Sequence, residues 1–173
     1  LEKWIEEKFN TTKYTLEKTD KGISNYNYVL TINDTKYMIR VPKKNHESLG
    51  LQHEHEKEIL PLVSDLDVPT VLFDEKEGIK VTHYIEDVET FDECKNKDKF
   101  ARCANLMKSL HNKKAPLFIF NPFGKIEFYK SQIKECILSF PNEKNFLEAL
   151  KKEYKPNTLC HNEFVQGNIL YSD

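Results

Sequence analysis

The feature that most limits the fold of this chain is a change of hydrophobic period near "IEDVETF", residues 85–91. Upstream, apolar residues alternate or run in short β-rich blocks, which is the signature of strands. "NYVLTI" and "KYMIRV" are two such blocks, split by the turn signal "NDT". "DVPTVLFDEKEGIKVTHYIE" gives two more, around a turn at "DEKEG". With Tyr14 and Leu16 alternating ahead of them, and "HESLGLQHEHEKEILPLV" reading as a helix with Leu51, Ile59 and Leu62 as its apolar positions, the order is strand-strand-strand-helix-strand-strand. A short amphipathic helix opens the chain, with Leu1, Trp4, Ile5, Lys8 and Phe9 near one face. Downstream, "KDKFARCANLMKSLHN", "FYKSQIKECILSF" and "EKNFLEALKKEY" follow helical spacing. Phe100, Cys103, Leu106, Met107 and Leu110 mark the apolar face of the first. An antiparallel five-stranded sheet with one inserted helix, followed by an α-rich part, is therefore expected: an α+β chain in two lobes, 1–86 and 87–173.

Bulk properties exclude several classes of function. The 173 residues suffice for one domain or two small lobes around a cleft. Net charge is −2 with both signs interspersed, so there is neither the basic face of a nucleic-acid binder nor a polybasic membrane anchor. No apolar run approaches a membrane span, and "LEKWIEEKF" is too charged for a signal peptide. Cys94, Cys103, Cys136 and Cys160 are scattered without a C-x-x-C pair, as expected of reduced thiols in a cytoplasmic protein. The "HEHE" of residues 53–56 lacks the spacing that sets two histidines on one helical face, so it reads as a solvated helix face rather than a metal site.

The polar residues of chemical interest cluster in "LCHNEFVQGNILYSD", residues 159–173. A carboxylate such as Glu163 can act as a general base or orient a hydroxyl. The side-chain oxygen of Asn168 is a hard ligand suited to Mg²⁺. His161 can brace the loop, and Gly167 permits a tight backbone just before Asn168. These parts suit phosphoryl transfer, which needs positioning and charge neutralisation. A polar loop that satisfies only its own backbone is the other reading of the same stretch.

"HNEFVQGNIL" resembles the H-N-D-x-x-x-x-N catalytic loop of the choline kinase and aminoglycoside phosphotransferase superfamily, which has the protein-kinase-like bilobal fold. The bacterial choline kinases are most similar, and the resemblance runs along nearly the whole chain. "KGISNYNYVL" resembles the nucleotide-covering loop, "YMIRVP" the third strand, "HEHEKEIL" the helix that carries an orienting Glu, and "LMKSLHN" and "FNPFGKIEFY" the segments ahead of the substrate region. The resemblance implies ATP and Mg²⁺ as cofactors and a small amino alcohol, choline above all, as partner. It implies that Arg40 contacts the α/β-phosphates and that Glu56 orients it, with Glu54 the neighbouring candidate. Ser24, Asn25 and Asn27 would line the loop over the phosphates. Thr82 to Glu86, with Thr82, Tyr84 and Ile85 foremost, would form the adenine hinge. Glu163 would be the catalytic acid/base residue, His161 its brace and Asn168 the metal ligand. Tyr84, Phe128 and Tyr129 are candidates for cation–π contact with a quaternary ammonium.

Two departures from the family pattern bear on activity. Glu163 stands where the family has Asp, and the added methylene moves the carboxylate by up to about 1.5 Å. A misplacement of about 1 Å can cost about 10²-fold in rate. The sequence also stops at "YSD", ahead of the "I-D-[FW]-E" type strand whose Asp is the family's main Mg²⁺ ligand, so Asp173 is not given that role. The expectation is a kinase-like chain with a truncated helical lobe and weak turnover as it stands. The alternatives are an aminoglycoside phosphotransferase-like kinase and a degenerate nucleotide-binding module.

Overall fold

In a computed structural model, the described residues are 1–19, 22, 24–43, 53–135 and 139–172. Leu51, Cys136 and Asp173, singled out above, lie outside them. The chain runs α1 (Glu2–Phe9), β1 (Thr15–Thr19), β2 (Asn25–Ile32), β3 (Thr35–Pro42), α2 (His53–Ile59, continued by a 3₁₀ turn Leu60–Leu62), β4 (Thr70–Asp74) and β5 (Ile79–His83). It continues with β6 (Glu89–Thr90), α3 (Lys99–His111), α4 (Pro122–Gln132), α5 (Glu143–Glu153), a 3₁₀ turn Gln166–Asn168 and β7 (Leu170–Tyr171).

The expected five-stranded antiparallel sheet forms, in the order β1-β2-β3-β5-β4. Its tightest connection is the hairpin between β2 and β3, where Ile32 opposes Thr35 and both loop residues have positive φ, Asn33 at 47° and Asp34 at 62°. That is the geometry of a type I′ turn, and Asn and Asp are the non-glycine residues that tolerate it. Alternation sends Leu30, Ile39, Ile79 and Val81 to one face, where Ile5 of α1 covers them. Trp4, Phe9, Tyr14, Leu16, Tyr28 and Tyr37 close the rim of this core. Ile5, Leu30, Ile39 and Val81 are fully buried. Truncating one such side chain to Ala costs about 2–5 kcal/mol. Helix α1 is also fastened by polar contacts, since Trp4 Nε1 donates to Asp74 Oδ2 at 2.8 Å and Lys8 lies 3.5 Å from the same oxygen.

The second half differs in detail from the sequence reading. α3 and α5 fall where helical spacing predicts them. The helix expected over "FYKSQIKECILSF" instead starts six residues earlier, at Pro122, and ends at Gln132. The reason is local: Asn121 caps it by accepting a hydrogen bond from Gly124 N at 3.0 Å, and Pro122 has its φ preset for a first helical turn. On α3, Cys103, Met107 and Leu110 are half-buried, while Phe100 is 67% exposed. Ile59 and Leu62 are likewise half-buried rather than buried. β7 pairs antiparallel with β6, Tyr171 opposite Glu89 and Leu170 opposite Thr90, which ties the end of the polar loop to the segment just after the sheet. Tyr171 is buried there: its hydroxyl donates to Lys99 O at 3.0 Å and lies 2.9 Å from Cys103 Sγ. Burial, reinforced by Cys103, pushes the Tyr171 phenol up to about 12. Among the described residues, no helix is long and apolar enough to cross a membrane.

Candidate nucleotide and catalytic-loop site

The sheet face opposite the core carries the first cluster. Because Leu30, Ile39 and Val81 point to the core, alternation sends Asn25 and Asn27 of β2, Arg40 of β3 and Thr82 of β5 to the other side. Register puts Asn27 directly opposite Arg40 on one flank, and Lys80 opposite it on the other. Lys80 is held by Asp67 at 2.6 Å. Four residues spread over 57 positions of sequence, from 25 to 82, are thus gathered on one surface.

α2 supplies Glu56 to this face. Arg40 Nη2 donates to both carboxylate oxygens of Glu56 at 2.5 Å, and both side chains are about one-third exposed, 33% and 27%. Glu54, the other candidate, is exposed. The contact uses one guanidinium nitrogen for both oxygens and not the parallel fork of an arginine fully committed to a carboxylate. Arg40 Nε is consequently buried without an acceptor among the described residues. A buried unpaired donor of this kind costs about 1–3 kcal/mol. The part of the guanidinium that stays exposed could meet an anionic oxygen on this face.

The position of α2 is fixed from three sides. His53, its first residue, presses on the β4–β5 turn at Gly78. His55 stacks on Phe118 with ring centroids 3.7 Å apart and planes within 7°. The Glu58 carboxylate accepts from Leu117 N, and Lys113 pairs with Asp65 just beyond the helix. Lys113 holds the Asp65 carboxyl below its usual range. Nothing in the sequence pattern marks residues 113–118 as a brace for α2; a histidine and a phenylalanine 63 positions apart carry no periodic signal.

Ser24 sits just ahead of β2, and its carbonyl accepts from Lys43 N at 3.2 Å. Asp20, Lys21 and Ile23 of the same loop lie outside the described residues. After β5, Tyr84 N donates to Lys36 O at 3.3 Å, and Lys36 Nζ pairs with Glu86 at 2.8 Å while lying 5.5 Å from the Tyr84 ring centroid. Thr82 is half-buried and Ile85 exposed. Phe128 and Tyr129, on α4, both lie within cation–π range of Lys125, at 5.6 and 5.3 Å.

The second cluster is the loop before β7. Asn162 adopts φ 65°, so the left-handed residue is the Asn and not Gly167, where a Cβ would meet nothing within 4 Å. The expected conformational demand at Gly167 is thus absent, because the loop makes its sharp turn five residues earlier. Asn168 Nδ2 donates to Glu163 O at 3.1 Å, which commits the amide nitrogen to the loop, and the residue is exposed. Val165 N also donates to Glu163 O, at 2.9 Å. Gln166 Nε2 reaches Asp92 at 3.3 Å and anchors the loop to the segment after β6. His161 makes no hydrogen bond among the described residues; it meets Phe164 edge to face, with centroids 5.8 Å apart. Its bracing is by ring contact, because the left-handed turn at Asn162 folds the chain back on itself. The Glu163 side chain is exposed. Among the described residues, no three His, Cys, Asp or Glu side chains converge on a metal site. Glu163 and Asn168 are joined, as are Arg40 and Glu56, but no hydrogen bond or ion pair links the two clusters among the described residues.

An antiparallel sheet whose third strand carries a cation held by an acid of the following helix, with an Asn-bearing loop beyond a helical segment, is the arrangement of the protein-kinase-like fold. No protein-family model matches the sequence. Comparison with individual proteins is more specific. The chain superposes on choline kinase LicA from Streptococcus pneumoniae with a TM-score of 0.77 and 29% identity, over 99% of this chain and 64% of that one. The same relation holds for LicA in complex with AMP, with a TM-score of 0.75 over 98% of this chain and 64% of that one. In sequence it is 24% identical over 164 residues to Protein LicA of Haemophilus influenzae, covering 88% of this chain and 48% of the relative. The fold is therefore that of the choline kinase type, and the chain spans about half to two-thirds of the length of these relatives.

Proposed function

We propose that this chain carries the nucleotide lobe (1–86) and the opening part of the catalytic lobe (87–173) of a cytoplasmic, ATP-dependent kinase for a small amino alcohol, with choline as the acceptor. The observation that carries the reading is Arg40: a guanidinium one-third exposed and fixed by Glu56 on the sheet face opposite the core. A similar fold in a choline kinase, and its complex with AMP, support it.

In this reading, Arg40 holds α/β-phosphate oxygens, where its charge and directional donors act together. Glu56 keeps it from swinging to solvent. Ser24, Asn25 and Asn27 supply polar groups beside the phosphates, while Thr82, Tyr84 and Ile85 lie along the adenine end. Glu163 orients the acceptor hydroxyl and takes its proton as the oxygen attacks. His161 and Phe164 stiffen the loop under it. Mg²⁺ bound to ATP would neutralise phosphate charge. Asn168 Oδ1 would be one of its ligands.

Titration with ADP, followed by a coupled assay with choline, ethanolamine and an aminoglycoside as acceptors, tests this. The expected results are ADP binding that weakens about 10-fold or more in Arg40→Met, and choline as the preferred acceptor. Equal ADP affinity in the variant would refute the role of Arg40. Nucleotide binding with no phosphorylation of any acceptor would favour a nucleotide-binding module.

A further inference from the structure

One further cation is built into the same end of the sheet. Lys43 immediately follows β3, and its backbone N–H donates to Ser24 O at 3.2 Å, which adds a rung beyond the Asn25–Pro42 pair. Its side chain turns the same way: Nζ donates to Gly22 O at 3.1 Å and lies 5.3 Å from the Tyr26 ring centroid. A single residue thus holds two points of the loop that precedes β2, one through the backbone and one through a charged side chain.

Gly22 is pressed from the other side as well. Its φ is +124°, and a Cβ there would lie 2.7 Å from both Asn25 O and Asn27 Nδ2. That approach is closer than any side chain tolerates, so the Gly22 backbone rests directly on Asn25 and on Asn27, the residue opposite Arg40. Without Lys43, the Gly22 carbonyl would lose its charge-assisted hydrogen bond. The Ser24 rung, made by the Lys43 backbone, would remain.

We propose that Lys43 is a positioning residue that holds Gly22 and Ser24 over the phosphate end of a bound nucleotide. It does so without touching the phosphates itself. The inference rests on the kinase reading given above. The role makes a selective demand. In that reading adenine is served by the segment after β5 and the α/β-phosphates by Arg40, whereas Gly22 and Ser24 lie over what extends beyond the α-phosphate. Loss of Lys43 should therefore be felt by ADP and ATP, and hardly by AMP.

The test is titration of the chain and of Lys43→Met and Lys43→Arg with AMP, ADP and ATP. In Lys43→Met, ADP and ATP affinities are expected to fall about five- to tenfold, and AMP affinity to stay within about twofold. Lys43→Arg, which keeps a cation on a long stem, should recover most of the loss. Equal weakening of AMP and ADP would mean a general loosening of the sheet and would overturn the proposal. So would unchanged affinities for all three nucleotides, in which case the kinase reading would stand and this inference alone would fall. A wild-type chain that binds none of the three would overturn both.

Discussion

Substitution of Gly78 by Ala tests how firmly the β4–β5 turn sets the position of α2, and with it the Arg40–Glu56 pair. Gly78 has φ +66°, so Ala would accept a left-handed conformation at a cost of about 1–2 kcal/mol. The added methyl also has nowhere to go: it would lie 1.7 Å from His53 Cε1 and 1.9 Å from Nδ1. Contact distances between carbons are about 3.5–4.0 Å, so the ring must retreat by roughly 2 Å. It can leave its rotamer, at a cost of about 0.5–1.5 kcal/mol, or carry the start of α2 with it. The two terms together come to about 1.5–3.5 kcal/mol, which for a chain of this size corresponds to a fall in Tm of roughly 3–14 °C. Thermal unfolding of G78A, H53A and the double variant separates them. In the His53→Ala background, the Gly78→Ala cost should drop to the backbone term of about 1–2 kcal/mol. An equal cost in both backgrounds would show that the turn and α2 do not press on each other. ADP affinity offers a second readout: it should weaken in G78A and recover in the double variant, because Glu56 sits three residues after His53 on the same short helix.

Two further outcomes follow from the geometry. Trp4 donates to Asp74, and this hydrogen bond is the main cause, ahead of the Glu77 backbone and Lys8, that lowers the Asp74 carboxyl below its usual 3.8. A depressed carboxylate stabilises the fold above pH 3.8 and loses that contribution as pH falls through its folded value. Trp4→Phe should thus cost about 1 kcal/mol at neutral pH, with the gap from wild type narrowing below pH 3.8 in urea titrations; a gap that does not change with pH would contradict the assignment. Glu163→Asp shortens the proposed base by one methylene. Choline turnover should rise by up to about 10²-fold with ADP affinity unchanged, and a fall in turnover would show that this loop is shaped around the longer side chain.

Much of the sheet was legible in the sequence because its causes are local. Val, Ile and Tyr alternate in "NYVLTI" and "KYMIRV", and "NDT" supplies the two residues that tolerate the hairpin. The polar loop was legible as a pattern of side-chain types. The start of α4 was set by an Asn-Pro capping signal that apolar spacing alone passes over. The conformational burden assigned to Gly167 falls on Asn162, since an αL position at a non-glycine residue has no reliable sequence mark.

By itself, then, the sequence determined the two periods, the order of strands and helices, and the kinds of chemistry available: a cation on the third strand, acids on the next helix, and Glu and Asn in a late loop. Only the tertiary structure decided which acid meets Arg40. It chose Glu56 over Glu54 because α2 is held in rotation by His53 on Gly78, His55 on Phe118 and Glu58 on Leu117. It also brought Lys43 onto Gly22. These are contacts between segments remote in the chain or separated by a loop. Their geometry depends on how faces pack, and side-chain order along the chain does not encode that directly.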